Sequence, residues 1–128
     1  MAKWVNADVL DAALNNIKNN CNAVAAILAY TAGDSYATVT GGSNVLAQVA
    51  VTSADFTGPS GSTSRALTLN SGKQDTAANA DGNPTHIAFL DTVNSKVLWV
   101  TDETSANSIT TGNPVTFPSL VYTSNQPT

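Results

Sequence analysis

After residue 22 the apolar side chains of this chain change period, and that change limits what it can fold into. Before it, "NADVLDAALNNIKNNC" at 6–21 sets Leu10, Leu14, Ile17 and Cys21 at spacings of four, three and four, one stripe on a helix, with Val9 and Ala13 on its flank. Asn6 is the expected N-cap, since its side chain can accept from an unsatisfied backbone N–H, and Asp8 and Asp11 suit the positive end of the helix dipole. The cluster Asn19, Asn20 and Asn22 should end the helix, because Asn is a poor interior residue. From residue 23 onward the apolar residues run in short stretches or alternate, the pattern of strands. One amphipathic helix must therefore dock its stripe on a β layer.

The strands are expected at "AVAAILAY" (23–30), apolar enough to be buried on both faces, and at "VLAQVAVT", with Val45, Ala47, Val49 and Val51 on one side and Leu46, Gln48 and Ala50 on the other. "ADFTG" reads as a short edge, "GPSGSTS" as a flexible loop, and "RALTL" puts Leu67 and Leu69 on one face. "NSGKQDTAANADGNPT" is a polar connection. "HIAFLD" and "KVLWVT" then form a hairpin through Thr92, Val93, Asn94 and Ser95, with Ile87 and Phe89 on one face and Ala88 and Leu90 on the other. Simple alternation sets Leu98 and Val100 opposite Val97 and Trp99, and apolar groups on both faces make the hairpin central. Pro114 and Pro118 place the last segments at a sheet edge. "SNQPT" is a polar tail that frays unless a partner holds it. The expected architecture is a mainly β single domain, 1–128. An N-terminal amphipathic helix at about 6–20 precedes an antiparallel β-sandwich or partly closed barrel of about seven short strands at 23–123, and a polar tail at 124–128.

Only 11% of the 128 residues are charged, where about a quarter is typical, and Ser, Thr, Asn and Gly fill the gap. The net charge is −4, and the five basic residues Lys3, Lys18, Arg65, Lys73 and Lys96 are scattered singly. Phosphate binding needs clustered cations, so the expectation is no nucleic acid and no anionic membrane surface as partner. The lone Cys21 makes no intrachain disulfide and reads as a small buried apolar residue. No stretch reaches the ~18 apolar residues of a membrane-spanning helix, and the acids and Asn before "AVAAILAY" argue against a signal peptide.

Chemistry is sparse. The one histidine, His86, would have to serve any Ser-His-Asp site, with a nucleophile near one ring nitrogen and a carboxylate at the other. His86 projects with Ala88 and Leu90 while Asp91 points to the opposite face, so Asp102 or Glu103, across the hairpin, are the candidate partners. Such a pair at a strand end is more often a solvated contact. One His and one Cys cannot make a thiolate-imidazole zinc site, and "NADGN" at 79–83 misplaces the first and last ligands of a calcium loop. "GGSN", "GPSGSTS" and "SGKQ" lack the spacing of a phosphate-binding loop. No catalytic residue, cofactor or metal is therefore expected. The aromatic residues remain as recognition groups: Trp99 is expected in the core, Trp4 as a packed staple or an intersubunit anchor, and Tyr36 and Tyr122 as surface contacts.

Two stretches carry a resemblance: "AKWVNADVLDAALNNIKNN" at 2–20 and "PTHIAFLDTVNSKVLWVTDE" at 84–103. Together they resemble small virion proteins of tailed bacteriophages and prophages, in which an opening Lys-Trp and a "DVLDAALN" helix precede a Thr-His-hydrophobic-Asp hairpin. The resemblance implies a structural protein of the virion, made in the host cytoplasm, and not an enzyme. Within that class it implies a capsid decoration or cement protein. Its partners would be the major capsid protein and copies of itself, a homo-oligomer with a trimer one candidate form. Trp4, Val5, Tyr36 and Tyr122 would be the interface residues. A tail or head-to-tail connector component, or a glycan-binding module using Tyr36 and Tyr122, are the alternatives.

Overall fold

The computed structural model describes residues 3–102 and 108–127. Helix α1 (Ala7–Asn20) begins where the cap was expected: the Asn6 side chain accepts from the Asp8 N–H at 2.8 Å, a contact worth about 1 kcal/mol. Leu10, Leu14 and Ile17 are buried along its stripe, whereas Val9 on the flank is exposed. Nine strands follow: β1 (Ala23–Ile27), β2 (Val45–Ala50), β3 (Phe56–Ser60), β4 (Arg65–Leu69), β5 (Gln74–Asp75), β6 (His86–Asp91), β7 (Lys96–Asp102), β8 (Val115–Thr116) and β9 (Leu120–Ser124). They pair antiparallel as β2-β1-β6-β7, β3-β4-β9 and the ribbon β5-β8. The architecture is the mainly β, sandwich-like arrangement expected, and no closed barrel forms among the described residues.

The four-stranded sheet is buried on both faces. Its inner face, Val24, Ala26, Ile87 and Phe89, packs against Phe56, Leu67 and Leu69 of the three-stranded sheet and against Leu14 and Ile17 of α1. Its outer face, Ala23, Ala25, Ile27, Ala88 and Leu90, is covered by Val39, the buried residue of the short helix α2 (Tyr36–Thr40). No helix was expected between the strands read at 23–30 and from Val45. The intrinsic propensity of α2 is low, and three contacts hold it: Ser35 caps its N-terminus at 3.2 Å, the Asn44 amide caps the Val39 carbonyl at 2.8 Å, and the Val39 side chain is wholly buried.

Strict alternation fails in β2 and β7, and for the same reason. A bulge between Ala26 and Ile27 sets Leu46 out of register, and one between Phe89 and Leu90 does so for Leu98. Leu46 therefore joins Ala47, and Leu98 joins Trp99, on the inner face, while Val45, Val97 and Val100 pack on the outer one. The expected split of Leu98 and Val100 from Val97 and Trp99 is thus corrected. Only half of the hairpin is central: β6 is an inner strand and β7 an edge.

Three further expectations change. The loop expected at 58–64 begins later, because Gly58–Ser60 belong to β3, which contains a cis Gly58–Pro59 bond. The polar connection at 70–85 contains β5 and covers the outer edge of β2, where Asp75 accepts the Gln48 N–H at 2.9 Å and Asn79 donates to the Leu46 carbonyl at 2.7 Å. The end of the chain is tied down by the chain itself. Gln126 hydrogen-bonds both sides of the Val5 peptide, at 2.9 and 3.0 Å, so the partner that holds the tail is the N-terminal arm.

Candidate functional site

The residues singled out for recognition fall in three places. Trp4 lies on the arm before α1 with 72% of its surface exposed, so it is not a packed staple. The next peptide, that of Val5, is the one clamped by Gln126. Tyr36 opens α2 and packs, half-buried, on the outer apolar cluster. The Tyr122 ring of β9 stands T-shaped to that of Trp99, centroids 5.3 Å apart, and Trp99 in turn stacks on Phe89 at 4.3 Å. Trp4 and Val5 are therefore one feature, whereas Tyr36 and Tyr122 belong to different clusters.

The open end of the β6–β7 hairpin brings His86 to Asp102, its register partner, with Nε2 3.3 Å from Oδ1. Glu103, the other candidate carboxylate, lies outside the described residues. On its other side His86 Nδ1 is 2.8 Å from the Thr85 hydroxyl, and the Tyr30 ring lies 5.7 Å away. Thr85, histidine and aspartate thus stand in the sequence that a nucleophile, base and orienting acid would take. The protons run the wrong way for that chemistry. The Thr85 hydroxyl has one hydrogen, and it is donated to the Leu28 carbonyl at 2.7 Å, so the hydroxyl accepts from the ring N–H. A base that donates to its nucleophile cannot activate it. The Asp102 side chain is also 86% exposed, where an orienting carboxylate is ordinarily sheltered. What the cluster does is fasten the end of β1 to β6 and β7.

At the closed end of the same hairpin Asp91 is only 3% exposed. Its carboxylate accepts the Val93 and Asn94 N–H groups at 3.1 and 3.0 Å and the Asn94 side-chain amide at 2.8 Å. These bonds, with the Asn94 side chain foremost, hold its carboxyl below the usual carboxylate range. Asn22, expected only to end α1, also fastens this turn through paired bonds to Thr92 at 2.8 and 2.9 Å. The Asx-rich stretch 79–83 is stapled likewise: Asp81 accepts from the Thr111 N–H and hydroxyl at 2.6 and 2.8 Å, which lowers its carboxyl. Among the described residues no three His, Cys, Asp or Glu side chains stand close enough to share a metal ion. No helix among them is long and apolar enough to cross a membrane.

One concavity was not foreseen. A cleft of about 320 Å³ opens beside β8, with Ala26, Pro84, Ile109 and Phe117 in its walls and Thr110 and Asn113 also lining it. Those first four are buried and apolar, so the floor belongs to the core. No signal in the sequence brings Ala26 to Phe117, because their proximity comes from the packing of the ribbon on the sheet. Compared with known protein families, characterised proteins and solved structures, the chain matches none of them.

Proposed function

We propose that this protein is a structural component of a bacteriophage virion, and specifically a decoration or cement protein that binds the assembled capsid shell and stabilises it. The observation that carries the reading is the Trp4 arm: a large aromatic side chain, 72% exposed, is presented on a backbone whose next peptide is clamped by Gln126. A rigid aromatic anchor costs little conformational entropy when it docks. The surroundings support the same reading. Charged residues make up only 11% of the chain, which suits a wet, hydrogen-bonding rim around such an anchor. The resemblance of residues 2–20 and 84–103 to small virion proteins agrees with it.

The mechanism is linkage. A protein that binds the assembled shell and not its free subunits stabilises the shell by RT ln(1 + [L]/Kd), about 2.7 kcal/mol per site at a hundredfold excess over Kd. Repeated over many sites, modest contacts suffice. The test is to strip the protein from purified particles and measure their resistance to heat and osmotic shock, then restore it with the wild-type chain or with Trp4→Ala. Loss on stripping, recovery with wild type and weaker recovery with the variant are expected. Unchanged resistance of stripped particles rules out cementing. Copy number separates this reading from a tail or connector component: hundreds per particle are expected, against about a dozen.

A further inference from the structure

The two larger sheets have four outer strands, and the chain treats them unequally. β2 is covered, since Asp75 accepts the Gln48 N–H at 2.9 Å and the Asn79 N–H reaches the Leu46 carbonyl at 2.7 Å. β3 is blunted, because Pro59 has no N–H to offer and Lys18 donates to the Gly58 carbonyl at 2.7 Å. β7 and β9 lack such cover: apart from their partners β6 and β4, no described segment makes a backbone hydrogen bond to Lys96–Asp102 or Leu120–Ser124. Both lie on one side of the sandwich, where the Trp99 and Tyr122 rings meet with centroids 5.3 Å apart. Along that side Leu98, Trp99, Leu120 and Tyr122 pack on the inner cluster yet stay only half-buried.

We propose that this open side is an interface between two copies of the chain, in which β9 pairs antiparallel with β9 of a second copy across a two-fold axis at Tyr122. The strand suits that role. Its register on β4 is unbroken over all five residues, it contains no Pro, Gly or charge, and Val, Tyr and Thr favour strands. β7 suits it less, because the bulge that sets Leu98 out of register interrupts any ladder there.

Charge selects a second copy as the occupant. Because Trp99 packs on Tyr122, an axis through paired Tyr122 residues passes near Trp99 as well. Lys96 and Asp102 stand three residues to either side of Trp99, and both are exposed. The two-fold rotation therefore sets Lys96 of each copy towards Asp102 of the other, two opposite-charge pairs per dimer. Asp102 touches His86 but keeps 86% of its side chain exposed, which leaves it open to a second partner. Main-chain hydrogen bonds along β9 supply affinity, and the charges fix register. The strip is narrow, so the pair is weak and its population follows concentration. The contact does not rest on the shell-binding reading, and its test uses no particle.

The test is sedimentation of the purified chain from low micromolar to near-millimolar concentration. Wild type is expected to pass from monomer to dimer and stop there, because a two-fold contact closes on itself. Lys96→Glu and Asp102→Lys, each with unchanged circular dichroism, should raise the dimer Kd about tenfold or more, since each sets like charges opposite one another twice. An equimolar mixture of the two should dimerise again, because one variant then offers only acids and the other only lysines at the facing positions. If either variant does not fold, Val121→Glu combined with Thr123→Glu, both at exposed positions of β9, sets glutamates opposite one another across the paired strands and should weaken the dimer likewise. A wild type that stays monomeric throughout overturns the proposal. So does growth beyond dimers, a dimer that these substitutions leave untouched, or a mixture no tighter than its separate components.

Discussion

The side-chain amide of Gln126 closes on the peptide of Val5: Oε1 accepts the Val5 N–H at 2.9 Å and Nε2 donates to the Val5 carbonyl at 3.0 Å. Two bonds thus join the arm before α1 to the segment after β9. At about 0.5–1.5 kcal/mol net for each bond, Gln126→Ala should cost about 1–3 kcal/mol in chemical denaturation. Amide exchange at Val5 should rise with it. Gln126→Glu keeps the acceptor and loses the donor, so its cost should fall between wild type and Ala. Unchanged exchange at Val5 in Gln126→Ala would show that the clamp holds nothing.

Asp91 sets a pH dependence. Its folded carboxyl lies below the ordinary 3.8 because the Asn94 side chain, then the Asn94 and Val93 N–H groups and nearby Lys96 favour the charged form, against the opposing effect of burial. A lowered folded pKa adds stability above the unfolded value, and that stability is lost as pH falls through the folded one. The difference in stability between wild type and Asp91→Asn should therefore be level near neutrality and shrink below pH 3.8. A gap that does not change between pH 6 and pH 3, read by denaturant titration (a window of about 3 units around that value), counts against the assignment.

Phe89 packs between the two sheets in the main core cluster. It has no exposed surface, stacks on Trp99 at 4.3 Å and tilts against Phe56 of the other sheet at 6.3 Å. Phe89→Ala should destabilise by about 3–5 kcal/mol, and Phe89→Leu by clearly less because most of the volume remains. Near-ultraviolet dichroism of Trp99 should weaken in the Ala variant even where the fold survives. Equal costs for Ala and Leu would mean the site collapses freely.

Cys21 should be chemically silent in the native protein. It is 3% exposed, its thiol donates to the Ala23 carbonyl at 3.4 Å, and burial pushes its pKa up to about 11. The reactive species is the thiolate, so alkylation at pH 8 should be slow in buffer and fast in denaturant. A native rate close to the denatured one would place the thiol at the surface.

How far the sequence could be read depends on the range of the interactions involved. Helix α1 was legible from Asn6 to Asn20 because its cap and its stripe are set by neighbours three or four residues apart. Strand β4 was legible for the same reason at period two, whereas β1, β6 and β7 were legible as short apolar runs bounded by turn residues. The His86 partner was narrowed to Asp102 or Glu103, and pairing register then selected Asp102 within the described residues. Helix α2 was hidden because its own five residues do not favour it; Ser35, Asn44 and the apolar surface under Val39 do.

By itself, then, the sequence determined one docking helix, a β-rich body and the scarcity of charge and titratable chemistry, all properties of short windows or of composition. Only the tertiary structure decided the rest. It turned Leu46 and Leu98 inward by bulges, clamped Val5 with Gln126, and opened a cleft between Ala26 and Phe117. Each of these depends on residues far apart along the chain, whose separation carries no periodic signal: strand pairing sets the bulges, and the packing of distant segments sets the clamp and the cleft.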